Sequence, residues 1–318
     1  MPLKILIGFL LLSSAFLAAD GGTERPFFSG PLLAKSGMNN FKGQWTLNPY
    51  LYFTRTYGRT DASWKHRAIP DIHNSIYFFS IQRGLTDHLD LQVLPSYQTN
   101  WSQGRRASGW ADFTFIFGLQ LKAAGHDLSK SNLRITLQEV LPTARYDHLN
   151  PQKKGLDGLG GGSYQTRATF IFEKLLFWIP SHPMDLTINV AVNFPAKVSV
   201  SGFNSYGGGR GTHGVVRPGT TFVFDGALEI SLARKFAVTM ELFAFLQNKT
   251  TFSGRRGRDE AGNPASSKAP SEIAVTLAPG LECFFTRDLF LIGGVWFSTA
   301  SRNSTDFATG ILSLNYDF

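Results

Sequence analysis

A single cysteine, Cys283, in a chain of 318 residues leaves no partner for an intrachain disulfide, so no disulfide framework holds this protein together. Long apolar runs are also missing. After the N-terminus no stretch approaches the ~18 uninterrupted apolar residues of a spanning helix, which excludes a helical membrane protein. His, Cys, Asp and Glu do not gather at a metal-ligand spacing, and no cofactor motif is visible. The run Gly158-Leu159-Gly160-Gly161-Gly162 lacks the following Lys-Ser/Thr of a phosphate-binding loop and reads as a flexible loop.

What is abundant is phenylalanine (28) and glycine (32), with 9 Tyr and 6 Trp, a composition suited to strands that face lipid. The first nineteen residues read as a cleavable signal peptide: Lys4 supplies the positive start, Ile5 to Leu12 the apolar stretch, and Leu17-Ala18-Ala19 the small residues before the cut. The formal charge of +8 is spread between apolar segments and not held in one tail. For an exported chain that makes nucleic acid a poor partner and phosphate-bearing outer-membrane lipid a better one.

The main signal is alternation. Between Trp110 and Lys122, Phe113, Phe115, Phe117, Leu119 and Leu121 share one parity, while Asp112, Thr114, Gly118, Gln120 and Lys122 share the other. A strand sends the two sets to opposite faces, whereas a helix scatters both. About twelve such segments follow, near residues 44–57, 71–83, 88–98, 110–122, 132–142, 164–174, 185–196, 220–233, 235–247, 272–285, 288–299 and 306–318. Most have the length a tilted strand needs to cross a bilayer. Several links are short, as at Ala233-Arg234, and others are long and rich in Gly, Ser, Asn and basic residues, the rhythm of a barrel with short turns at one end and long loops at the other. Links four and six fit that rhythm less well.

These features predict an all-β, antiparallel, up-and-down transmembrane barrel of about twelve strands over 44–318, with 1–19 as signal peptide and 20–43 as a leader. The leader is apolar at Pro26-Phe27-Phe28 and Leu32-Leu33-Ala34; it is read either as a plug or as a periplasmic segment, disordered or docked on the barrel. A secreted β-sandwich is the rival architecture, opposed by strand length, signal peptide and C-terminus together. The chain ends in Phe318, with Tyr316, Leu314 and Leu312 at alternate positions, and this pattern resembles the signal read by the outer-membrane assembly machinery.

Inward parity places Asp112, Lys122, Arg134 and Arg167 on one sector of the wall, and Asp225, Glu229, Glu241, Glu272 and Glu282 on another. Opposed charges of this kind set up a transverse field across water or pair to fill the interior. Phe243, Phe245 and Trp296 share the inward faces and point to a partly apolar conduit or a packed interior. Twelve strands ~4.8 Å apart and tilted ~40° give a backbone diameter of roughly 24 Å, which leaves both outcomes open.

A family resemblance rests on four stretches in order: Gly84-Leu85-Thr86-Asp87-His88-Leu89-Asp90-Leu91, then Gly109-Trp110-Ala111-Asp112-Phe113-Thr114, then Leu141-Pro142-Thr143, then the glycine-rich 158–164 ending in Tyr164. Over roughly residues 70–180 the chain resembles the outer-membrane family named for the meta-pathway of phenol degradation, with Ala144 standing where members often carry Gly. The resemblance implies a barrel that passes small hydrophobic or aromatic solutes.

Three function classes therefore stand. A passive channel for small solutes leads. A structural or surface-interaction barrel with a blocked lumen is second. An acyl hydrolase is third: His73 and Ser75 share a strand face that meets lipid, but a third group to orient the histidine is missing from the neighbouring strand. In the loops, Arg255, Arg256, Arg258 and Lys268, with Lys197, Arg210 and Arg217, are expected to bind lipopolysaccharide headgroups or a negatively charged surface ligand, or to remain as solvated charge, tempered by Asp259 and Glu260.

Overall fold

A computed structural model describes residues 28–125 and 127–318; the expected signal peptide and the first part of the leader lie outside the described residues. Among the described residues there are seventeen strands: β1 Trp45–Thr60, β2 His66–Gly84, β3 Leu89–Leu94, β4 Ser96–Ser102, β5 Arg105–Trp110, β6 Phe113–Lys122, β7 Ser131–Leu141, β8 Gln165–Leu176, β9 Met184–Pro195, β10 Val198–Asn204, β11 Gly207–Arg217, β12 Thr221–Ala233, β13 Phe236–Gln247, β14 Thr251–Arg255, β15 Glu272–Phe284, β16 Leu289–Arg302 and β17 Thr305–Asp317.

Fourteen of them form one antiparallel sheet that closes on itself through the β1–β2 and β1–β17 ladders. Pro95, which has no N–H to give, splits one wall strand into β3 and β4, and Ala111-Asp112 splits the next into β5 and β6. Counted as wall staves, the barrel has twelve strands, with both ends of the wall at the same rim. Closure is tight: Phe318 and Trp45 exchange backbone hydrogen bonds of 2.9 and 2.8 Å. All twelve expected segments coincide with staves, because a period of two survives wherever one face is polar and the other apolar.

Outward positions carry the apolar set. Phe117, Leu137, Phe170, Val190, Phe194, Met240, Leu312 and Phe318 are all exposed, which in water would leave a large apolar girdle around the whole barrel. Inward positions carry the polar set, so the interior is lined by buried Thr136, Thr169, Asn189, Glu229, Glu241, Thr276 and Thr309.

The long links are not simple loops. β10, β11 and β14 pair as a separate three-stranded sheet, which the sequence reading placed in the loops 197–219 and 248–271. Their Gly- and Ser-rich composition carries no clear parity, so period alone could not find them. Val198, Val200 and Val216 give this sheet a small core of its own, packed by Tyr146, Tyr206 and Phe252.

Candidate functional site: a charged and aromatic lumen crossed by the leader

The leader lies in the lumen, anchored by side chains from most of the wall's staves. Ser29 donates its N–H to Glu282 (2.9 Å). The three successive N–H groups of Leu32, Leu33 and Ala34 converge on the Glu241 carboxylate, at 3.0 Å from Leu33 and 2.9 Å from Ala34. Gly37 donates to Glu173 (2.7 Å), Asn39 to the side-chain oxygen of Gln120 (2.7 Å), and Asn40 to Asp90 (3.3 Å). In return Arg134 donates to the Ser36 carbonyl (3.0 Å) and Gln120 to the Gly37 carbonyl (2.8 Å). The path runs from β15 and β13 across β8 to β6 and β3. An extended segment has no ladder to satisfy its backbone, so in a closed barrel its N–H and C=O groups must be met by wall side chains. Carboxylates are strong acceptors for the task.

Leu32 is the leader's apolar anchor. It is buried against Ala278, Ile292 and Ile311, with Tyr50, Tyr52 and Trp296 beside it. Two glycines make the seat: a Cβ on Gly280 or Gly294 would come within 2.7 or 2.4 Å of a Leu32 methyl. The wall is thinned where the leader's side chain must enter.

On the aromatic side of the lumen Tyr50 stacks on Phe78 (centroids 4.6 Å) and Tyr52 lies 5.4 Å from Phe78. Trp296 meets Phe243 edge-on (5.7 Å) and Phe307 (4.9 Å), and its indole N–H donates to Thr276 (2.7 Å). Phe245 continues this face, 6.5 Å from Phe243. The other side is charged. Arg134 and Asp90 form a buried ion pair at 2.8 Å, Gln82 donates to the same Asp90, and Lys35 of the leader donates to Gln138 (3.1 Å) near Arg134 and Arg167.

The remaining sequence-predicted lumen residues separate by position. Asp225, Glu229 and Glu282 are buried and inward, with Glu229 beside Glu282 and Asp185. Glu272 sits at the loop end near Arg59 and Ser304. Arg167 is inward, and its Nε is buried without a hydrogen-bond partner among the described residues. Asp112 instead lies at the break between β5 and β6 and accepts N–H bonds from Ala144 and Gly161, both 2.9 Å, which pins the link between β7 and β8. Lys122 lies beyond a register shift after Gln120 and is exposed. Asp90 and Glu173 were missed, although both fall on the inward parity of expected segments, and counting every inward charge would have found them. Tyr50, Tyr52 and Phe78 were missed because their staves alternate least clearly.

The glycine-rich link expected to be a flexible loop is folded against its neighbours. Gln98 and Asn100 donate to the carbonyls of Leu159 (2.7 Å) and Leu156 (2.8 Å), and the Tyr206 hydroxyl donates to Gly161 (2.7 Å). Burial, with Asp112 and Tyr146 close by, pushes the Tyr206 phenol up to about 12, so it stays a donor throughout the physiological range. In the basic loop, Arg255 donates to the Gly211 carbonyl and Arg258 to the Gly262 carbonyl, both at 2.7 Å, while the Arg256 carbonyl accepts from the Thr212 hydroxyl. Lys268 lies exposed in the same loop. Leu312, Leu314 and Tyr316 face outward on β17, and Phe318 just beyond it is exposed too, with Tyr316 stacked on Phe318 at 5.4 Å.

Ser75 and His73 share the outer face of β2, but His73 stacks on Trp101 (5.3 Å, 14°) with its Nδ1 buried and without a hydrogen-bond partner among the described residues. No hydrogen bond joins His73 to Ser75 among the described residues, and no described cluster of His, Cys, Asp and Glu has metal-binding geometry.

No family model matches the chain, and no curated protein matches it. Solved structures do. An outer membrane channel from Pseudomonas putida F1 superposes with a TM-score of 0.66 at 14% identity, over 90% of this chain and 99% of that one. The β domain of the Bordetella autotransporter BrkA follows with a TM-score of 0.47 at 10% identity, covering 88% of this chain and 100% of that one. The first likeness shows the fold, that of an outer-membrane barrel.

Proposed function

We propose that this protein is a channel in a bacterial outer membrane for passive movement of small apolar or aromatic compounds, in uptake or efflux. The carrying observation is the two-sided lumen. One wall is aromatic, built by Tyr50, Tyr52, Phe78, Phe243, Trp296 and Phe307, with the buried carboxylates of Glu241 and Glu282 on the same sector; the facing wall carries Asp90, Arg134 and Arg167. Aromatic faces stack on flat apolar solutes, and the Arg167 guanidinium, whose Nε has no hydrogen-bond partner among the described residues, can hold a solute's polar group, so the pair suits amphiphilic rings better than sugars. The resemblance to the phenol-degradation outer-membrane family and the barrel likeness to a Pseudomonas putida channel support the same reading.

A second reading, a structural barrel with a blocked interior, draws support from the leader's dense bonding across the lumen. Swelling of proteoliposomes in graded solutes separates the two. The channel reading expects small aromatic acids to enter and disaccharides to be excluded, with disaccharide entry gained when residues 29–40 are deleted. No permeability to any solute in either protein would establish the blocked barrel.

A further inference from the structure

We propose that the outer wall of β2, β4 and β5 carries a seat for one phosphorylated glycolipid of the outer leaflet, lipopolysaccharide, gripped by Arg106 and Arg105. The register builds the seat. Ser75 pairs with Thr99, and Thr99 with Ser108, so three short hydroxyl side chains line up across the lipid-facing surface. On the side toward mid-barrel, Tyr77, Tyr97 and Trp110 form the next row, with Tyr97 and Trp110 edge-on at 5.6 Å. On the rim side stand His73, Trp101 and Arg106, with Trp101 packed on His73 and Phe53. Small residues between two bulky rows leave a groove of about 590 Å³ that reaches Arg105 at the hairpin.

Two independent features point to the occupant. Ser75 is only 8% exposed and Thr99 6%, and although Thr99 bonds Ser108 at 2.9 Å, the Ser75 hydroxyl makes no hydrogen bond among the described residues. Acyl chains cannot meet that hydroxyl, whereas the ester and amide carbonyls near a glycolipid headgroup can. The guanidinium groups give the second feature. Along the same rim Arg55 is paired with Asp71 (2.9 Å) and Arg67 with Asp61 (3.0 Å), yet neither Arg105 nor Arg106 has a carboxylate partner among the described residues. An unpaired arginine at the aromatic rim of a bilayer is matched by phosphate, which it grips with two hydrogen bonds. The inference rests on the membrane placement proposed above, and membrane partition tests that placement separately.

The test is native mass spectrometry of the full-length detergent-solubilised protein with rough-type lipopolysaccharide. One bound lipid per barrel is expected. Arg105→Gln with Arg106→Gln should weaken binding about tenfold, the loss of one charge-assisted grip. Ser108→Trp, which fills the groove without touching charge, should weaken it comparably, and dephosphorylated lipid should bind no better to wild type than to the arginine variant. Heat-modifiable mobility reports that each variant is folded. Loss of this lipid in Arg255→Ser with Arg256→Ser and Arg258→Ser, with Arg105→Gln and Arg106→Gln binding as wild type, would place the site on the loops and overturn the proposal. So would equal binding by wild type and the arginine variant, or equal retention of phosphatidylglycerol.

Discussion

Glu241 is the residue on which the leader's position turns. Its carboxylate gathers three consecutive backbone N–H groups, a geometry in which each bond is charge-assisted and the acceptor is fully buried. Glu241→Gln keeps the shape but gives the convergent donors a neutral, half-donor partner. Because hydrogen bonds to a charged group contribute ~1.5–3 kcal/mol each against about 1 for neutral ones, the leader should lose roughly 2 kcal/mol of its hold. A thiol placed by Leu33→Cys in a Cys283→Ser background should then be labelled several-fold faster by a water-soluble maleimide, with the barrel still heat-modifiable. Equal labelling rates in the two proteins would mean that the other bonds hold the leader without Glu241. Arg134 poses the opposite case. Arg134→Ala strands Asp90 as a buried charge, and breaking such a pair costs ~3–5 kcal/mol, so this variant should lower the thermal midpoint more than Glu241→Gln does.

At the scale of elements, β17 closes the wall against β1 along almost its whole length, from Thr46 opposite Asp317 to Arg59 opposite Thr305. Phe318 is exposed at 58%, so its ring adds little core, but its backbone makes the final pair with Trp45. We expect deletion of Phe318 to reduce the amount assembled in membranes several-fold while detergent-refolded protein keeps its midpoint within about 1 kcal/mol; an equal fall in both would assign the residue to stability alone. The staves themselves were legible because lipid on one side and water-like polarity on the other impose a period of two. Legibility failed where that contrast lapses: at β10, β11 and β14, which pair apart from the barrel wall, and at Lys122, where one extra residue after Gln120 reverses the face. The leader's seat was hidden for a different reason. Its Leu32 is visible as an apolar residue, but what fixes it is backbone bonding to distant carboxylates, and backbone donors leave no pattern in a sequence.

For the whole molecule the governing fact is the inversion of its surfaces. Phe79, Trp110, Phe117, Phe194, Met240 and Tyr316 are exposed around the circumference, while Glu229, Glu241, Glu282, Asp90 and Arg134 are buried inside. A soluble domain of this size would do the reverse, since apolar burial at ~25 cal/mol per Å² is the main term that holds such domains together. Here the exterior becomes favourable only when lipid covers it, and the interior is held by a closed ladder with no free edge between β1 and β17. The two properties can be measured apart. Lipid coverage predicts that the protein sediments with outer membranes and needs detergent for release. Ladder closure predicts that the unheated protein runs faster in dodecyl sulfate gels than the boiled one, because the barrel stays folded while its girdle is coated. Wild-type protein recovered from the periplasm without detergent would contradict the first. Identical mobility before and after boiling would contradict the second, and it would show that the wall, despite its twelve paired staves, does not resist detergent as a closed unit.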